Sequence, residues 1–287
     1  MDGVAAVEGN FGQLRRLKAR HPELRLLWSF GGWSGSAGFT EAARDPAGFA
    51  ASCRALLDDP RWAGLFDGID VDWEYPNACG LTCDASGPGA LTALLGALRA
   101  ALGPDALITA AVPGDVTRLR AGDYAGAARH ADWLGAMTYD YFGTGGSTTA
   151  PHSPLSAYPG IPRETANTGA TVTALLDMGV PASKLLLGVG FYGRGWTGVT
   201  GSAPGATADG APPKREDYRL LADRCPPTGT VGGTAYARCG SQWWSYDTPE
   251  TVAAKVAYAR DRGLGGLFAW ELSGDTADAA LLTALSG

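Results

Sequence analysis

The segment Phe66–Pro76, FDGIDVDWEYP, limits what this chain can fold into more than any other. It places four carboxylates, Asp67, Asp70, Asp72 and Glu74, within eight residues, and the last three are spaced by two. Between them stand Ile69, Val71, Trp73 and Tyr75, all good strand formers. Alternate side chains of a strand share a face, so Asp70, Asp72 and Glu74 should form one column, with neighbours about 6–7 Å apart. The apolar column between them faces a core. Like charges beside apolar walls repel each other and lose hydration, so at least one acid should hold a proton near neutral pH. A calcium loop would need D-x-D-x-D-G turn chemistry in place of bulky strand formers. A solvated acidic edge would not alternate its acids with Ile, Val and Trp. Perturbed, clustered carboxylates point to acid–base chemistry.

The remaining totals narrow the class. A length of 287 residues allows one large domain or two ordinary ones, and 45% hydrophobic residues are ample for a core. The net charge of −6 and the lack of any Lys/Arg-rich run argue against a nucleic-acid partner. No apolar stretch is long enough to span a membrane. The first residues, MDGVAAVEGN, show neither the basic region nor the apolar run of a signal peptide. Of five cysteines, Cys79 and Cys83 share one loop and Cys225 and Cys239 bracket another, which suggests local disulfides in an exported protein. Zinc is disfavoured, because none of the three histidines, His21, His130 and His152, lies near a cysteine pair at ligand spacing. Cys53 is the odd one, either a buried small hydrophobe or a cysteine that has lost its partner. Nine tryptophans and ten tyrosines suit either core packing or stacking against sugar rings.

Along the chain, strands and helices alternate. Residues 10–20 read as an amphipathic helix capped by Asn10. Strands are expected over 24–33, 66–76, 106–113, 131–141, 184–193 and 265–273. Helices are expected from Pro46, from Pro88 to Leu102, and over 121–130, 165–178 and 248–262, the last capped by Asp247 or Thr248. A short helix closes the chain. Six strands alternating with helices predict a parallel sheet with right-handed crossovers. Ser29, Glu74, Tyr139, Asp140, Tyr192 and Glu271 all sit late in a strand or just past it, which favours a barrel over a doubly wound open sheet. Residues 197–243, rich in Gly, Pro, Thr and Ala, interrupt the alternation and read as a small inserted subdomain with a short helix near 217–221. The run Gly188-Val-Gly190-Phe-Tyr-Gly193 matches G-x-G-x-x-G, but no helix follows at once to present its N-terminus to a dinucleotide.

The residues taken together resemble family 18 of the glycoside hydrolases, the chitinases, and most closely secreted actinomycete chitinases. Asp67-Gly-Ile-Asp70-Val-Asp72-Trp73-Glu74 resembles the D-x-x-D-x-D-x-E signature. Ser29-Phe30-Gly31-Gly32, Met137-Thr138-Tyr139-Asp140, Phe191-Tyr192-Gly193-Arg194 and Trp270-Glu271 resemble other strand ends of that family, in the same order. The resemblance implies a TIM (β/α)8-type barrel with a small α+β insertion after the seventh strand. It makes 1–196 and 244–287 the catalytic barrel and 197–243 the insertion. By the family's count the S-x-G-G strand is the third, so only strands three to eight are expected here, and GVAAV at 3–7 is too short to supply the first two.

The resemblance also implies roles. Glu74 would be the general acid and base, Asp72 would orient the substrate's acetamido group, and Asp70 would share a proton with Asp72. Tyr139 and Asp140 would assist at the reacting sugar. Trp270, Tyr192, Arg194, Trp33, Met137 and Tyr75 are candidates for substrate contact. The expected partner is chitin or chito-oligosaccharides, and neither a metal nor an organic cofactor is called for. The expected protein is extracellular and monomeric. An endo-β-N-acetylglucosaminidase, a chitin-binding lectin and an inactive truncated barrel are the alternatives.

Overall fold

The computed structural model describes residues 9–143, 145–209 and 214–287. The chain opens with α1 (Asn10–Arg20) and β1 (Leu27–Gly31). Next come α2 (Phe39–Ala42), α3 (Pro46–Leu57) and β2 (Gly68–Asp72), then α4 (Ala90–Leu102) and β3 (Leu107–Pro113). Two short helices, α5 (Val116–Leu119) and α6 (Tyr124–Ala128), precede β4 (Trp133–Met137), α7 (Thr168–Asp177) and β5 (Leu185–Gly190). Then follow β6 (Tyr192–Trp196), β7 (Lys214–Asp217), α8 (Tyr218–Arg224), β8 (Gly229–Val231), β9 (Thr234–Cys239) and β10 (Gln242–Tyr246). The chain ends with α9 (Pro249–Asp261), β11 (Gly266–Trp270) and α10 (Ala280–Ser286).

The six expected strands form one sheet in the order β1-β2-β3-β4-β5-β11, and β6 to β10 form a separate five-stranded sheet in the order β7-β6-β10-β9-β8. The β1–β2, β2–β3 and β5–β11 ladders are parallel. Every ladder of the second sheet is antiparallel. β1 and β11 stand at the two ends of the first sheet's order, and neither holds a fully buried residue, whereas five of six positions in β5 are buried. Residues 10–20 are helix rather than strand, and the segment 3–7 lies outside the described residues.

Two expectations change at the level of elements. The position before α1 is filled by Gly9, and Asn10 is the first helical residue, with no side-chain cap. The run expected as one strand over 184–193 divides. β5 stays in the parallel sheet, while β6 begins two residues later and pairs with β10 and β7. The antiparallel sheet therefore spans Tyr192–Tyr246, wider than 197–243.

The chain divides into two compact units. One comprises the described residues up to Val112 with Ala121–Leu134, and the other Pro113–Arg120 with Gly135–Gly287. In the first, the apolar column of β2, Ile69 and Val71, is fully buried. An aromatic cluster joins α1 to β1: Phe11 meets Trp28 edge-on at 5.2 Å, and Trp28 stacks on Phe66 at 4.3 Å. Asp67 serves this junction, accepting from Lys18 Nζ at 2.6 Å and the Leu26 N–H at 2.8 Å. In the second, Leu187, Val189 and Phe191 bury themselves with Leu221, Trp244, Tyr246, Val252 and Leu281. The disulfides are Cys79–Cys83 and Cys225–Cys239, as the spacing suggests, and Cys53 is free and buried.

Candidate active site

The acid column is built by strand register in the first unit. β2 lies between β1 and β3, with Ser29 and Thr109 opposite Asp70. Paired residues of neighbouring strands share a face, so both hydroxyls reach the same carboxylate. Ser29 Oγ–H donates to Asp70 Oδ2 at 2.7 Å and Thr109 Oγ1–H to Asp70 Oδ1 at 2.6 Å. Asp72, two residues on, has no such help. Its Oδ1 is buried without a hydrogen-bond partner. Burial, then the charges of Glu74 and Asp70, push its pKa up to about 7. These surroundings push Asp72 toward holding a proton near neutral pH. Glu74 stands just past the strand, half-buried.

The S-x-G-G turn closes over the end of this strand. The Gly32 N–H donates to the Asp72 carbonyl at 2.8 Å. At Gly31, with φ +113°, a Cβ would lie 2.0 Å from that same carbonyl oxygen, so only glycine fits. Trp33 follows with half its surface exposed (51%). On the opposite face Trp73 is buried and stacks on Phe39 at 5.3 Å. Tyr75 is half-buried beside Gly80.

The second unit gathers the other candidates. Tyr139 and Asp140 follow β4, and Asp140 adopts φ +57°. Arg194, on β6, grips Asp140 with both arms of its fork, Nε to Oδ1 at 2.7 Å and Nη2 to Oδ2 at 2.6 Å. Burial opposes ionisation of Asp140, but His152 and the Arg194 guanidinium outweigh it and hold the carboxyl well below its ordinary range. Tyr192 is buried, 6.2 Å from the Tyr139 ring and 5.1 Å from His152, and burial raises its phenol well above the usual value. Arg215 lies over the Tyr192 ring at 4.5 Å and reaches Glu271 at 3.2 Å. Met137 is buried, whereas Trp270 exposes 49% of its surface. Two of the exposed tryptophans, Trp33 and Trp270, offer flat apolar faces of the kind that sugar rings stack on.

Sequence reasoning passed over Thr109 and Ser36 as neighbours of the acid column in the first unit, and His152 and Arg215 as neighbours of Asp140 and Tyr192 in the second. Thr109 is a polar residue in an apolar run and gave a signal, and His152 is one of only three histidines. Nothing local marks Ser36 or Arg215.

Residues 1–275 match the family described as glycosyl hydrolases family 18. The chain belongs to family 18 of the glycosyl hydrolases. It is 54% identical to Chitinase C of Streptomyces lividans, over 97% of this chain and 48% of that protein. It is 52% identical to Chitinase 63 of Streptomyces plicatus, over 99% of this chain and 49% of that protein. The chain thus spans about half the length of these two relatives. Among solved structures it is similar to the catalytic domain of psychrophilic chitinase B from Arthrobacter TAD20, with a TM-score of 0.88 and 31% identity over 97% of this chain and 73% of that one. It is also similar to the second catalytic domain of the Ostrinia furnacalis Group II chitinase in complex with penta-N-acetylchitooctaose, with a TM-score of 0.85 and 25% identity over 94% and 78% of the two chains. Among the described residues, no helix is long and apolar enough to cross a membrane.

Proposed function

We propose that this chain is a chitinase that hydrolyses β-1,4 bonds between N-acetylglucosamine units by a retaining, substrate-assisted route. The observation that carries the proposal is the column itself: Asp70, Asp72 and Glu74 from one strand and its end, with Asp72 raised to about 7. Enzymes that flank a scissile bond with two carboxyl groups take them from opposite sides, and family 18 departs from that scheme. Here the protonated Glu74 gives its proton to the glycosidic oxygen as the C1–O bond breaks. The substrate's acetamido oxygen closes on C1, forming an oxazolinium ion. Asp72 holds the acetamido N–H, and Asp70, fixed by Ser29 and Thr109, modulates Asp72 through its charge. Glu74, now a carboxylate, takes a proton from water as that water attacks C1, which restores the acetamido group and the starting anomeric configuration.

Tyr139 is assigned to the acetamido carbonyl and Asp140 to the reacting sugar, with Arg194 keeping Asp140 ionised. Trp270 and Trp33 are assigned to sugar stacking, with Tyr192, Met137 and Tyr75 as further contacts. Residues 1–196 and 244–287 are read as the catalytic barrel and 197–243 as its insertion. The proposed substrate is chitin or its oligomers, acted on by an exported monomer. The disulfides support export, because they persist in oxidising compartments.

The test is hydrolysis of chitotetraose by this chain and by Glu74→Gln, following the anomer of the first product. Glu74→Gln should lose about 10²–10⁴ in kcat/KM, and the first product should be the β-anomer. Full activity in Glu74→Gln would remove the acid, and an α-anomer would remove the retaining route. Binding without turnover by the unaltered chain would favour a lectin.

A further inference from the structure

Glu74 lies beyond the last residue of β2, so the strand ladder does not fix it. Its backbone is held on both sides by other means. On the amino side, the Glu74 N–H donates to Ser36 Oγ at 2.8 Å. Ser36 is only 4% exposed and begins a 3₁₀ turn, Ser36–Gly38, after the S-x-G-G segment. Its single hydroxyl proton faces two carbonyls, Gly32 at 2.8 Å and Asp72 at 3.1 Å. One buried hydroxyl thus joins three points: the turn that leads to Trp33, the carbonyl of Asp72 and the amide of Glu74.

On the other side, Gly80 presses against the Glu74 carbonyl. A Cβ there would lie 2.3 Å from the oxygen. Gly80 belongs to the small ring closed by Cys79–Cys83, which the Gly80 N–H to Thr82 carbonyl bond braces at 2.9 Å. Asp84 anchors this ring, accepting from Thr40 Oγ1, the Asn77 N–H and Ser86. The carbonyl side is therefore covalently stiffened, while the amide side is met by the Ser36 hydroxyl.

We propose that Ser36 is a positioning residue for the Glu74 acid, holding its backbone amide in the register that aims the carboxyl at the glycosidic oxygen. The inference rests on the reading of Glu74 as the general acid. Without the hydroxyl, a part-buried N–H loses this acceptor, and the segment must shift or admit water in its place. A small displacement of an acid matters most when the leaving group needs a proton. A natural sugar alkoxide leaves poorly and needs one, whereas a phenol-type leaving group of low pKa needs little help.

The experiment compares kcat/KM for chitotetraose with that for a 4-methylumbelliferyl chitobioside, in the unaltered chain, Ser36→Ala, Ser36→Cys, Ser36→Thr and Glu74→Gln. Ser36→Ala should lose about 10–100-fold on chitotetraose, the scale of an ångström-level misplacement, and no more than about 3-fold on the activated substrate. Ser36→Cys keeps the volume with a weak acceptor and should show the same selective loss, which covers the case of a poorly folding alanine variant. Ser36→Thr keeps the hydroxyl and should restore the balance between the two substrates. Glu74→Gln should show the same selectivity more strongly. Equal losses on both substrates, or no loss, in the Ser36 variants would overturn the inference while leaving Glu74 as the acid. Loss of selectivity in Glu74→Gln itself would remove the acid and the inference together.

Discussion

Asp72 and Asp140 are both half-buried carboxylates, and their surroundings drive them in opposite directions. Arg194 outweighs burial at Asp140, whereas Asp72 has burial and two neighbouring acids against it and a buried oxygen without a partner. The consequence for stability has a definite sign. The folded pKa of Asp72, about 7, lies above its value in the unfolded chain, so folding takes up a proton between about pH 4 and pH 7. Stability from this group is fully present below pH 4 and is lost as the pH rises through 7. Asp72→Asn removes the ionisation and keeps the shape. Its unfolding free energy should exceed that of the unaltered chain by a margin that grows from pH 5 to pH 7 and levels off above, on the order of a few kcal/mol at pH 8. Melting curves at four pH values would read this, and a margin that does not change with pH would refute it. The sequence made the column and its proton legible through spacing alone. It did not say which acid would lack partners, because the hydroxyls that reach Asp70 come from two other strands, and that depends on register.

At the scale of elements, α9 shows how a reading can be right in its span and incomplete in its anchor. The helix runs Pro249–Asp261 as the proline and terminal glycine imply, and Thr248 caps it in a capping box with Thr251. Asp247, the other candidate cap, is instead the centre of a fully buried network. It accepts from Ser153, Thr234 and Thr251 and pairs with Lys255, eight residues further along the chain. Both charged side chains are wholly inaccessible. Removing one partner strands the other charge, so Lys255→Met should lower stability by about 3–5 kcal/mol. Asp247→Asn/Lys255→Met should recover part of that loss. Denaturant midpoints at unchanged slope would report it, and a cost for Lys255→Met under about 1 kcal/mol would show that water reaches the pair. The β5–β6 division was hidden for a related reason. Leu185–Trp196 is apolar or glycine almost throughout because both segments are buried, so hydrophobic pattern carries no mark where the strand leaves one sheet for the other. Only the pairing of Arg194 with Arg215 and of Trp196 with Trp243 reveals it.

For the molecule as a whole, the disulfides are the feature that couples composition to working environment. Cys225 and Cys239 lie 14 residues apart and join α8's end to β9 in the second unit, while Cys79 and Cys83 lie 4 apart in the first. Loop-closure entropy assigns about 3 kcal/mol to the longer loop and about 2 kcal/mol to the shorter. Together these are a large share of the roughly 5–15 kcal/mol that separates folded from unfolded domains. Cys53 does not offer an exchange route, because burial pushes its thiol up to about 11 and leaves little thiolate near neutral pH. The folded, oxidised chain should therefore resist alkylation by iodoacetamide and yield one modified cysteine only after unfolding. Complete reduction should lower the melting temperature by about 10–20 °C, and Cys225→Ser/Cys239→Ser by rather more than half of that. Scanning calorimetry of the oxidised, reduced and doubly substituted chains separates the two loops. A reduced chain that melts with the oxidised one would mean that the network around Asp247 and the aromatic clusters hold both units unaided, and that an oxidising compartment is not needed for this fold.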